Sequence, residues 1–125
     1  MLKIIHTEDN FQVEILPQPL EEWLGSRVLL SVRAKNPIFI EPITRSFPVK
    51  LNPYLLTTLE QNIKNDKVKL EKCDPEFVDI VIEGSWVSFS PHSELGIFVT
   101  TLNEKVECIL HQLWLQTQSF TSVNI

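Results

Sequence analysis

A rhythm of two runs through the extended stretches of the chain. Phe11, Val13 and Ile15 alternate with Gln12 and Glu14, and Val78, Ile80 and Ile82 oppose Asp79 and Glu83. Successive side chains of a strand point to opposite faces, so this alternation predicts strands with one dry side and one wet side, as in antiparallel sheets. Leu2 to His6 and Phe11 to Leu16 read as a hairpin, because the intervening Thr7, Glu8, Asp9 and Asn10 readily bond turn backbone. Pro17 and Pro19 end it, and Leu20 to Leu24 reads as one helical turn closed by Gly25. From Arg27 the alternation returns: Val28, Leu30, Val32 and Ala34 point one way, Arg27, Ser31, Arg33 and Lys35 the other, with Leu29 as a misfit.

Asn36 to Pro42 holds prolines around Ile38, Phe39 and Ile40 and reads as a crossover whose apolar centre plugs the core rather than as a partner-binding loop. Ile43 to Leu51 is extended again, and Pro48, which lacks a backbone donor, points to a sheet edge or a strand start. Lys67 to Lys72 and Glu76 to Glu83 follow as strands. Gly84-Ser85 reads as a break, Trp86 to Phe89 as a strand, Pro91 to Glu94 as a turn, and Leu95 to Leu102 as the last strand.

Helical spacing appears in two places. Asn52-Pro53 pairs a good N-cap with proline at the first helical position, and Leu55, Leu56, Leu59 and Ile63 then share an arc of about 100°. Asn65 and Asp66 stop that helix. Asn103, with Glu104 and Glu107 near the positive end of the dipole, opens a second helix to about Gln118. Its inward stripe is Val106, Ile109, Leu110 and Leu113, but Cys108, His111 and Leu115 project elsewhere and Trp114 lies to one side. Residues 119–125 read as a frayed tail. The expected fold is therefore α+β: a single, mainly antiparallel sheet over residues 1–125, with a mid-chain and a C-terminal helix packed on it.

A chain of 125 residues with 43% hydrophobic and 22% charged content buries enough surface to fold without staples. The net charge of −5 works against nucleic acid and anionic membranes unless a basic patch is present. Lys64, Lys67, Lys69 and Lys72 come nearest, yet Asp66 and Glu71 interrupt them and no aromatic residue for base stacking is interleaved. No apolar run reaches the roughly 18 residues of a membrane span. The opening residues lack the pattern of a secretory precursor, so a reducing cytoplasm is expected, with Cys73 and Cys108 more readily thiols than a disulfide. No CxxC or HxxxH spacing suggests zinc, three glycines leave no phosphate-cradling loop, and no cofactor is expected.

Nucleophilic catalysis needs a nucleophile beside an oriented base, and nothing brings His6, His92 or His111 to a cysteine or serine partner. His92 and Glu94, in the Pro91 to Glu94 turn, are the best polar candidates, although a hairpin connection explains them equally well. Trp86 reads as core. Trp23, Cys108, His111, Trp114 and Leu115 are the candidate interface, since tryptophan is enriched at contacts and the second helix has more apolar surface than one stripe buries. The leading expectation is a non-enzymatic binding or accessory protein with a protein partner or a second copy of itself. One alternative is an immunity or inhibitor protein capturing a basic partner through Glu8, Asp9, Glu14, Glu21 and Glu22. Another is an enzyme or small-ligand carrier with a pocket between sheet and helices.

Overall fold

A computed structural model describes residues 1–6, 11–64, 66–72, 75–90 and 95–123. The elements in chain order are β1 (Leu2–His6), β2 (Phe11–Ile15), α1 (Leu20–Ala34), β3 (Phe39–Lys50), α2 (Pro53–Asn62), β4 (Val68–Lys72), β5 (Phe77–Ser88), β6 (Gly96–Thr100) and α3 (Glu104–Val123). The strands form one six-stranded sheet with the order β2-β1-β6-β5-β3, and β4 pairs with β5 off that path. The class is α+β with an antiparallel sheet, as the alternation predicts, but it carries three helices rather than two.

Two compact units make up the chain: Met1–Ile43 with Gly84–Thr101, and Thr44–Glu83 with Leu102–Ile125. In the first, β1 pairs antiparallel with β2 and with β6, Leu2 facing Ile15 on one side and Thr100 on the other. The Lys3–Glu14 ion pair of 3.5 Å joins directly opposed residues of β1 and β2. Met1, Trp23, Val87 and Val99 form a buried cluster, and Leu16, Leu20, Leu24, Ile38 and Ile97 pack against it.

In the second unit, β4 pairs antiparallel with β5, Val68 facing Ile82 and Leu70 facing Ile80. Helices α2 and α3 pack on one another. Their buried apolar residues among those described are Leu55, Leu56 and Leu59 on α2, and Val106, Ile109, Leu110 and Leu113 on α3. Asn52 caps α2 by accepting from the Leu55 backbone N–H at 3.1 Å, and its amide donates to Gln116 Oε1 at 2.8 Å, so one side chain fixes the helix start and ties it to α3. Asn103 accepts from the Lys105 N–H at 2.9 Å, and the buried Glu107 carboxylate accepts from the Leu102 N–H at 2.9 Å. Those bonds satisfy donors that a helix start leaves open.

The structure corrects the sequence expectation in four places. The stretch from Arg27 to Ala34 is helix, continuous with Leu20 to Leu24, and Gly25 lies inside it. Its end is a Schellman motif: the Asn36 N–H donates to Ser31 O and the Lys35 N–H to Val32 O, with Lys35 at φ 56°. Lysine occupies the left-handed position that glycine usually fills, and that is why the stop was misplaced at Gly25. Second, Gly84 is no break. An added Cβ there would stand 2.6 Å from both the Phe98 ring tip and the Val99 carbonyl oxygen, so glycine lets neighbouring chain approach while β5 runs on. Third, the extended region after α1 begins at Phe39, and only Ile38 of the expected plug reaches the core. β3 ends the sheet path, which suits Pro42 and Pro48 within it. Fourth, α3 extends to Val123, past its expected end at about Gln118.

Candidate functional site

The surface of greatest interest is built on α1. At about 100° per residue, Leu20, Trp23, Leu24, Arg27 and Ser31 share one side of the helix, and the structure makes that side the inner one. Trp23 is its anchor at 3% exposure. The Arg27 guanidinium lies 4.8 Å from the centre of the Trp23 ring and the Lys3 ammonium 5.9 Å, so two cations flank a buried π face. This contact explains why a charged Arg27 sits on an inward row.

The opposite side is apolar too. Gly25, Val28, Leu29 and Val32 fall within about 100° of arc, at the i, i+3, i+4, i+7 spacing of a helix that packs against another element. Among the described residues this side stays open: Val28 is 42% exposed, Leu29 51% and Val32 69%, and an added Cβ at Gly25 would meet no atom within 4 Å. A surface helix with both sides apolar is a departure, because an exposed apolar stripe gains free energy from burial in proportion to its area. Exposed charges stand at its two ends, Glu21 and Glu22 in the first turn and Arg33 and Lys35 at the last.

On the inner side of α1, in the same unit, runs a groove of about 250 Å³ bounded by Arg27, Leu30 and Ala34 of α1 and by Ile38, Phe89 and Ile97. Its walls are mostly apolar, and Leu30 and Phe89 carry the exposed surface to its rim. A cleft of about 200 Å³ in the other unit is lined by Thr44, Asp66, Lys67, Lys69 and Glu83 among others. Lys67 and Lys69 share that lining with two carboxylates, so these lysines form no single-sign basic patch.

The residues expected at an interface are divided between the two units. Trp23, expected in a single helical turn and at a contact, is buried within its own unit: the turn is part of α1 and Trp23 stands on its inner side. Cys108, His111, Trp114 and Leu115 belong to the other unit. Cys108 is a free, exposed thiol, and Leu115 is 45% exposed. His111 and Trp114 are half-buried and stacked on each other, centroids 6.3 Å apart and planes inclined by 11°. Of the surface expected to face outward on α3, the His111–Trp114 pair is thus partly covered, while Cys108 and Leu115 stay exposed. His92 and Glu94, like Cys73, Glu8 and Asp9, lie outside the described residues. Sequence reasoning missed Val28, Leu29 and Val32 as an exposed set. Their i, i+1, i+4 spacing was a signal, and so was Leu29, which no strand reading accommodated.

No helix among the described residues is long and apolar enough to cross a membrane, and no described group of three or more His, Cys, Asp and Glu residues has the arrangement to hold a metal ion. These elements define an α+β protein with an antiparallel sheet and an uncovered apolar helix face. The chain belongs to the Alr0857-like family, whose model matches residues 1–118. No curated protein and no solved structure matches it.

Proposed function

We propose that this is a non-enzymatic binding or accessory protein that acts through protein contacts, and that the outer face of α1 is where it makes them. The observation that carries this reading is the exposure of Val28, Leu29 and Val32 on a helix whose opposite side is already anchored by Trp23. A helix of this kind laid into an apolar surface is a recurring mode of protein recognition. The exposed Cys108 thiol suits a reducing compartment and favours the cytoplasm as the place of action. Glu14 is engaged with Lys3, and Glu21 and Glu22 favour the start of α1 through its dipole, so capture of a basic partner needs no invoking to explain these acids.

A photo-crosslinking residue at Leu29, compared with one at the isolated, exposed Tyr54, tests the proposal in cells. Protein adducts are expected from position 29 and not from 54. Absence of any protein adduct at 29 would remove the reading. The groove beside α1 favours a second reading, a small apolar ligand held by Leu30, Ile38 and Phe89. An apolar dye displaced by Ile38→Trp, which fills the groove, but retained in Leu29→Glu would support it.

A further inference from the structure

We propose that the occupant of the α1 face is a second copy of this chain, the two helices pairing antiparallel about a twofold axis. The proposal rests on the reading of α1 as a contact surface and adds the identity of the partner. What carries it is the placement of charge around the stripe.

Consider a twofold perpendicular to α1 and passing between Val28 and Leu29. It sets Gly25 opposite Val32 of the second copy and Val28 opposite Leu29, so the smallest side chain of the stripe receives one of its most exposed ones. The missing Cβ of Gly25 leaves room for that approach. The same axis brings Glu21 to about the level of Lys35 in the second copy, with an axial offset of about 1.5 Å. Glu22 comes near Arg33 with an offset of about 3 Å. At 100° per residue Glu22 and Arg33 lie on one flank of the stripe, while Glu21 stands on the line of the stripe at its N-terminal end, so that it faces the Lys35 end of the second copy. The acidic end of each helix therefore meets the basic end of the other, twice over by symmetry. A parallel pairing would instead set the two acidic ends together and the two basic ends together, and like charges opposed in this way select against it.

Rim charges of this sort fix orientation and register, while the apolar stripe supplies the burial. Helix α1 is about 22 Å long, so the contact stands at the small end of specific interfaces and the dimer forms reversibly with concentration.

Sedimentation of the full chain over a concentration series is the test. The wild type is expected to pass from monomer to dimer, and L29E/V32E to remain monomeric with an unchanged circular dichroism spectrum. E21K/E22K and R33E/K35E are each expected to lose self-association, about tenfold or more, and to form a mixed dimer when combined. In a chain with both native cysteines replaced by serine, E21C mixed with K35C should give a mixed disulfide on oxidation, whereas a parallel pair would crosslink E21C to itself. This readout holds if a charge variant fails to fold. A wild type that stays monomeric with no mixed dimer, or a dimer indifferent to the charge exchange, overturns the proposal. If Leu29 still crosslinks to a different protein while the chain sediments as a monomer, the contact reading survives and self-pairing alone falls.

Discussion

Helices α1 and α3 invert what their sequences suggest. The stretch that holds α1 alternates like a strand over much of its length, and its end carries no glycine; α3 begins with a capping asparagine and two acids and reads as a helix with apolar residues to spare. In the fold, α3 is the better covered of the two. His111 and Trp114 stack and are half-buried, and Leu115 and Cys108 stand among polar neighbours such as Gln112 and Gln116. Helix α1 keeps one row for the core and leaves Val28, Leu29 and Val32 in the open. Counting apolar residues on a helix thus says little about what it exposes. The number of rows the neighbouring elements can reach decides it.

The comparison can be tested at several depths. The largest effect belongs to the inner rows: Trp23→Ala should cost about 3–5 kcal/mol and Leu113→Ala about 2–5 kcal/mol in urea denaturation, because both leave a cavity. A cost for Trp23→Ala below about 1 kcal/mol, within the range of surface changes, would mean that α1 is not anchored as described. Asn52→Ala removes the cap of α2 and its bond to Gln116 on α3, with an expected loss of about 1 kcal/mol. Gly25→Ala should act in the opposite direction, stabilising the chain by up to about 1 kcal/mol, since the added methyl meets open space and glycine is a poor helix former. That measurement belongs at a dilution where the chain is monomeric. The smallest effect on stability is the sharpest on contact: Leu29→Glu and Leu115→Glu should each stay within about 0.5 kcal/mol of wild type. Only Leu29→Glu should abolish association in sedimentation or crosslinking. Equal effects of the two would erase the distinction drawn between the helices.

Much of the architecture was legible where one local signal had no rival. The Asn52-Pro53 pair marked the start of α2, and the bond from the Leu55 N–H to Asn52 shows why. The hairpin of β1 and β2 followed from a turn-forming tetrapeptide between alternating runs. Elsewhere two signals competed. Val28, Leu30 and Val32 satisfy a period of two, yet Leu20, Trp23, Leu24, Arg27 and Ser31 satisfy a helical period over a longer span, and the longer span prevailed. Pro37, just beyond the Schellman motif, was consistent with a helix ending there and outweighed the glycine twelve positions earlier. At Gly84 the residue usually read as a break serves close approach to Phe98 instead, a role visible only when the neighbouring strand is in place.

By itself the sequence determined the kinds of element present, the buried alternation of Val78, Ile80 and Ile82, the capped starts of α2 and α3, and the acidic balance, because each depends on residues within a few positions of one another. Tertiary structure alone decided which side of α1 meets the core. Both sides are apolar, and only Met1, Val87 and Val99, gathered from distant parts of the chain around Trp23, choose between them. Once that choice is made, Val28, Leu29 and Val32 must face water or a partner, since a straight helix cannot turn two opposite faces to one core.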